Sequence, residues 1–166
     1  DGLNSLIKSE EKTEITITVR DRKYRVLFKR EEKLLYFFDV TEQLEIQTQY
    51  YADRTVLAIL FIDNYDEITS TMDDQSRSMA NSLVTSIINE WALKEGIYVK
   101  RIASDRFIAV LNESILGTLE NEKFSILDAV REKTANINMS LTLSIGVGVE
   151  SNSLIELGQL AQSSLD

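Results

Sequence analysis

The sequence predicts an α+β chain: a ferredoxin-like antiparallel sheet with helices, preceded by a second, smaller antiparallel sheet. Three observations predict it. Three short strand-like runs with charged turns open the chain. A nearly unbroken apolar run, Thr55 to Ile62, begins a second domain near Arg54. From there the patterns follow in the order β-α-β-β-α-β-α.

The opening runs are Ile15–Val19, Tyr24–Phe28 and Leu34–Phe38. The first alternates apolar and polar residues, the mark of a half-buried strand. The short turns between them imply an antiparallel meander. Asp39 or Thr41 then caps a helix whose first turn carries Glu42 and Glu45. With no Gly or Pro from Asp39 to Arg54, this segment reads as a continuous connecting helix.

The run Thr55–Ile62 suits a central strand buried on both faces. Asp73 and Asp74 are helix-start residues. Met79, Leu83, Ile87 and Trp91, with Val84 and Ile88 beside them, form an apolar stripe at helical spacing, read as core. Gly96 is a natural stop. Ile97–Ile102 and Phe107–Leu111 flank the polar Ala103-Ser104-Asp105-Arg106, a β-hairpin pattern. A second helix is expected over about Leu119–Asn136, with Phe124, Leu127 and Val130 inward. Leu141–Val149 is another strand, whose Gly146 and Gly148 suit close approach of a backbone. A last helix starts near Ser153. The helices of this arrangement are expected on one face of the sheet.

Composition narrows the chemistry. Of 166 residues, 43% are hydrophobic, enough for a core. The net charge is −9, which disfavours nucleic acid as a partner. A small nucleotide carried with a divalent cation is compatible with that charge. The chain has no Cys and no His. Disulfides, thiolate nucleophiles, and sites or general bases built on histidine are therefore excluded. Catalysis would have to run on carboxylates, Lys or Arg, hydroxyls, or a hard metal with oxygen ligands. No apolar run reaches the length of a membrane span. The chain begins Asp1-Gly2-Leu3-Asn4, without an initiator Met, and is expected to be a piece of a longer protein.

The hairpin Arg101-Ile102-Ala103-Ser104-Asp105-Arg106-Phe107 and the strand Leu143-Ser144-Ile145-Gly146-Val147 resemble the GGDEF family of cyclic-dinucleotide synthases. Leu157–Leu165 resembles that family's last helix, cut short. In active members, the resemblance implies, two tip glycines admit the nucleotide, acidic residues follow them, and an Asp at the end of the first strand binds magnesium. Here Ala103 and Ser104 replace the glycines, and each adds a Cβ. Arg106 reverses the charge of the fourth tip residue. A gapless alignment puts Phe61 at the metal position and Asp63 at the second Asp. The inhibitory Arg-x-x-Asp upstream of the hairpin is replaced by Lys94-Glu95-Gly96-Ile97. No synthesis of cyclic-di-GMP is therefore expected.

Phe38-Asp39-Val40-Thr41-Glu42-Gln43 is similar to the signature with which PAS domains pass into a signalling helix. The division expected is residues 1–41 as the C-terminal part of a PAS domain, 42–54 as the connecting helix, and 55–166 as a degenerate, C-terminally truncated GGDEF domain. Ser-Asp-Arg-Phe at the hairpin and Asp63-Asn64-Tyr65-Asp66-Glu67 after the first strand make the pair resemble the membrane-anchored cyclic-di-AMP phosphodiesterases of the GdpP/YybT type. That resemblance implies a cytoplasmic regulatory portion of a membrane-anchored parent, a downstream DHH/DHHA1 phosphodiesterase domain as partner, and a homodimer. The alternative that the same resemblance implies is a weak ATPase or nucleotide-binding domain, with magnesium and ATP as the ligands.

Ala103, Ser104, Asp105 and Arg106 are accordingly the candidate nucleotide-binding residues, and Asp105 and Asp63 the candidate metal ligands. Bland readings stand beside these. Asp105 is either a residual ligand or a turn residue. Arg106 either meets a phosphate or a neighbouring domain, or is solvated at the turn. Asp63, Asp66 and Glu67 either hold a cation or start a solvated loop. Tyr50 and Tyr51 either join two chains or pack on their own domain.

Overall fold

The computed structural model describes residues 2–8, 13–137 and 139–165. The ends of the expected domains, residues 1 and 166, lie outside them. The chain divides into two compact units, Asp1–Tyr51 and Ala52–Asp166.

Unit 1 opens with a short helix α1 (Gly2–Lys8), which the sequence pattern had not indicated. The meander follows as expected: β1 (Glu14–Val19), β2 (Arg22–Lys29) and β3 (Leu34–Asp39), in sheet order β1-β2-β3. Both pairings are antiparallel, Val19 facing Arg22 and Lys29 facing Leu34. Its buried apolar residues are Leu6, Val26 and Val40. Helix α2 (Thr41–Ala52) begins where Asp39 ends the strand. The Asp39 carboxylate accepts from the Thr41 hydroxyl at 2.7 Å and from the Thr41 amide at 3.0 Å. The Thr41 hydroxyl oxygen in turn accepts from the Lys23 amide of β2 at 2.8 Å. These bonds hold the strand-to-helix junction by satisfying backbone donors that a helix start leaves open.

Unit 2 contains β4 (Thr55–Ile62), α3 (Tyr65–Thr69), α4 (Asp74–Glu95), β5 (Tyr98–Ala103), β6 (Arg106–Asn112), α5 (Glu113–Asn121), α6 (Ile126–Ala135), β7 (Leu143–Gly148) and α7 (Leu154–Ser163). The sheet order is β5-β6-β4-β7, all antiparallel, the ferredoxin-like arrangement. Asp73 caps α4 through the Ser76 amide at 2.7 Å. Gly96 ends that helix at φ 71°, where a side chain would be strained.

One face of β4, with Val56, Ala58, Leu60 and Ile62, packs with Val84 and Ile88 of α4 and with Ile126 and Val130 of α6. Its other face, with Leu57 and Ile59, meets Leu157 and Ala161 of α7. The helices therefore lie on both faces of the sheet, not one. The reason was already in the strand: an uninterrupted apolar run has two faces to bury, and α7 buries the second.

Two other expectations need correction. The single helix expected over Leu119–Asn136 is two, because Lys123 and Phe124 take φ of 54° and 51° and end α5. No Gly or Pro marks that break. The apolar stripe of α4 faces the core with one exception: Val84, Ile87 and Ile88 are buried and Leu83 and Trp91 pack against them, beside buried Ala80 and Ala92, whereas Met79 is 62% exposed. Alanines filled the close approach, and the longer Met was left outside.

Candidate functional site

The hairpin between β5 and β6 turns through Ser104 and Asp105, with Ala103 and Arg106 facing each other across it. The register shifts between Arg101 and Ala103, a bulge that turns the end of β5. The Asp105 carbonyl accepts from the Ile62 amide at 2.8 Å, which fixes the tip beside the end of β4. Ala103 and Ser104 are exposed; Asp105 and Arg106 are half-buried.

Arg101 builds the tip from below. Its Nε donates to the Ala103 carbonyl at 3.1 Å, and its Nη2 donates to the Ser104 carbonyl. Nη1 reaches Thr85 Oγ1 at 3.0 Å and the Asn81 carbonyl at 3.2 Å, and Nη2 reaches Asn81 Oδ1 at 2.8 Å. The guanidinium also sits 5.2 Å from the Phe107 ring centroid. Burial pushes its pKa down, and Tyr65 and then Asp105 oppose that shift. Since arginine stays protonated well above neutral pH, the effect is a cation held among neutral oxygens. Asn81 also accepts from the Tyr65 hydroxyl at 3.0 Å, so α3, α4 and the hairpin share one amide.

Beside this network lies a cleft of about 520 Å³, lined along α4 by Asp74, Arg77, Ser78, Asn81 and Thr85 and closed by Arg101. Arg77 donates weakly to the Thr69 and Met72 carbonyls, at 3.4 and 3.5 Å, and its Nε is buried without a partner. The cleft thus offers amide and hydroxyl groups with two guanidinium groups, of which Arg77 lies 4.0 Å from the Asp74 carboxylate. None of Arg77, Ser78, Asn81 or Thr85 stood out in the sequence, where they read as the polar side of an amphipathic helix. Asn81 and Thr85 carry a faint signal in retrospect, four residues apart on one helix face.

The Asp63 region is structural at its backbone. The Asp63 amide donates to the Thr142 carbonyl at 3.0 Å. The Asn64 side chain donates to the Ser140 carbonyl at 2.8 Å and accepts from the Thr142 amide at 3.0 Å, continuing the sheet into the loop before β7. Asp63 and Asp66 are exposed, and Glu67 lies beside them on the short α3.

The aligned metal position is filled differently. Phe61 faces Arg106 in register, and the Arg106 guanidinium lies 5.3 Å from the Phe61 ring centroid. The reading of Arg106 as a solvated turn residue is corrected: it opens β6 and lies over an aromatic ring. Among the described residues, no group of three or more acidic side chains gathers here. Magnesium asks for anionic oxygens in an octahedral shell. An aromatic ring and a guanidinium at this place supply no anionic oxygen and do not fit it.

The chain matches two family models: "Cyclic-di-AMP phosphodiesterase GdpP-like, GGDEF domain" over residues 60–166, and "Cyclic-di-AMP phosphodiesterase GdpP-like, PAS domain" over residues 1–40. It is 62% identical to the cyclic-di-AMP phosphodiesterase GdpP of Bacillus subtilis over 97% of its own length and 24% of that protein's. It is 56% identical to the GdpP of Geobacillus thermodenitrificans over 99% of its own length and 25% of that protein's. The chain thus spans about a quarter of the relatives it matches. Among solved structures it resembles the active GGEEF domain of a diguanylate cyclase from Vibrio cholerae, with a TM-score of 0.54 and 14% identity, over 74% of this chain and 81% of that one. At that identity the likeness concerns the fold.

Proposed function

We propose, from the premise that this chain belongs to the GdpP-like cyclic-di-AMP phosphodiesterase family as its PAS and GGDEF region, that it regulates the parent enzyme and does not synthesise a cyclic dinucleotide. The observation that carries this reading is the pair Phe61 and Arg106, which stands where a cyclase would need metal-binding oxygen. The Cβ atoms of Ala103 and Ser104 add to it. The parent is a membrane-anchored phosphodiesterase whose downstream DHH/DHHA1 domain hydrolyses cyclic-di-AMP. The state of the PAS sheet reaches that domain through the Asp39–Thr41 junction and α2. Ile46, Tyr50 and Tyr51 lie exposed on α2, which supports a helix pair in a homodimer.

Two experiments test this. With GTP and a divalent cation, the chain should yield no cyclic-di-GMP; robust product would overturn the regulatory reading. In the full-length parent, Thr41→Val removes the hydroxyl that links β2, β3 and α2. Cyclic-di-AMP hydrolysis should change by about fivefold or more, the scale of allosteric coupling. An unchanged rate would mean that this junction transmits nothing.

A second reading, nucleotide binding by the degenerate domain, is favoured by the cleft beside Arg101. Its amides and hydroxyls suit a base or sugar, and its arginines suit a phosphate. ATP titration of wild type against Asn81→Leu tests it, with tighter binding expected for wild type.

A further inference from the structure

The joint where the chain leaves α2 is held twice. Arg54 lies two residues past the end of α2 and directly precedes β4. Its carbonyl accepts from the Glu113 amide at 3.1 Å, one step beyond the facing pair Thr55 and Asn112. Its side chain reaches the same residue: Arg54 Nε lies 3.3 Å from Glu113 Oε1. Backbone and side chain thus bind the same two positions, both within unit 2. The two side chains are 22% and 28% exposed. Every other ion pair among the described residues has at least one partner more than a third exposed. Water and salt screen a half-buried pair less than an exposed one.

Glu113 also opens α5. A carboxylate in the first turn of a helix is favoured by the free amides there, even without a cationic partner. The pair can therefore open without stranding the acid, while the backbone bond stays. Any movement of α2 arrives along the chain at Asp53 and Arg54. A joint held by one backbone bond can swivel and absorb that movement; one held by a side chain as well turns as a body. We propose that the Arg54–Glu113 pair is the clasp that makes unit 2 follow α2, a second station on the route that begins at Asp39 and Thr41. This rests on the regulatory reading above. The clasp is closed in this structure, and its open state returns the carboxylate to the start of α5. Arg54 and Glu113 act as positioning residues.

The test is a double-mutant cycle in the full-length parent, read as the rate of cyclic-di-AMP hydrolysis. Thr41→Val is combined with Glu113→Gln and, separately, with Arg54→Gln. Hydrogen exchange of β4 and β6 is the folding check, and either clasp variant suffices if the other fails to fold. Thr41→Val alone should change the rate about fivefold or more. In the clasp variants the same change should move it less than about twofold, because the swivel no longer carries it. Arg54→Lys should retain part of the response, since it keeps the charge and loses the planar fork. A merely structural pair would lower the rate and leave the Thr41 effect at full size in both backgrounds. That result would overturn this inference and leave the regulatory reading standing. Thr41→Val without effect in any background would overturn the regulatory reading, and this inference with it.

Discussion

The two units of the chain are held together by different means. Unit 2 encloses a sheet between helices on both faces, with Leu60, Ile88, Phe107 and Leu157 all but removed from solvent. Unit 1 buries only Leu6, Val26 and Val40 among its described apolar residues, and leaves Phe37 52% exposed. Its junction with α2 is instead fixed by polar groups: Asp39, Thr41, the Lys23 backbone and Arg22, whose Nη1 lies 2.7 Å from the Asp39 carboxylate. Packing is cooperative and insensitive to pH; exposed polar contacts are local and adjustable. The difference fits the regulatory proposal, in which the first unit would sense and the second would serve as a framework.

The largest expected effect lies where α7 rests on β7. A Cβ on Gly148 would come within 2.0 Å of the Leu157 carbonyl oxygen, and one on Gly146 within 2.1 Å of that of Ala161. Backbone cannot move aside as a side chain end can. Gly148→Val should therefore displace α7 and cost unit 2 about 4 kcal/mol or more, read by urea unfolding. A cost under about 1 kcal/mol would mean that α7 is not seated on the strand. On the opposite face, Leu60→Ala should cost about 3 kcal/mol, since the side chain is fully enclosed. In unit 1, Val26→Ala should cost about 1.5 kcal/mol, and hydrogen exchange should register it in β1–β3 alone. Equal losses at Leu60 and Val26 would erase the contrast between the units.

These elements were legible in the sequence to different degrees. The meander, β4 and the hairpin announced themselves through alternation, an unbroken apolar run and a polar turn. Gly146 and Gly148 were read correctly as a place for close backbone approach, because a glycine inside a strand has few other uses. The break between α5 and α6 was not legible: Lys123 and Phe124 adopt left-handed backbone that their residue types do not favour. The outward turn of Met79 was hidden because a helical stripe shows which face turns inward, not which of its members the core reaches. At the candidate site, the tip residues were nominated by resemblance, and Phe61 was placed at the metal position by alignment. The stacking of Arg106 on Phe61, its reach to Gln162 and the role of Asn81 depend on strand register and helix placement. Residues 56 positions apart, such as Arg106 and Gln162, leave no local pattern.

Asparagine at position 112 supplies a smaller and cleaner measure of unit 2. Its side chain caps α5 by accepting from the Ile115 amide at 2.9 Å. Asn112→Ala should cost about 1 kcal/mol, seen as a lowered denaturation midpoint with an unchanged slope. A changed slope would mean that α5 unfolds apart from the sheet, and that unit 2 is less cooperative than its packing implies.

The smallest effect belongs to the polar junction of unit 1, and it carries a pH signature that packing cannot imitate. The Thr41 hydroxyl, then the Thr41 amide, then Arg22 hold the Asp39 carboxylate below its ordinary pKa of 3.8. A carboxylate whose folded pKa is depressed adds stability above its unfolded pKa and loses it as the pH falls through the folded value. The contribution of Asp39 is therefore complete above the ordinary aspartate range, as at neutral pH, and disappears on acidification below 3.8. Because the group is exposed, the effect is confined to the junction. Carbon-detected NMR titration of Asp39 should give a midpoint below the ordinary value in wild type. Thr41→Val removes the largest cause and should move that midpoint back upward, while Arg22→Gln, which removes a lesser cause, should move it less. The amide of residue 41 should lose exchange protection over the same acid range. If Arg22→Gln produces the larger shift, the exposed ion pair and not the hydroxyl holds the strand to the helix. Unit 1 would then be sensitive to salt at neutral pH, which the hydroxyl-centred junction is not.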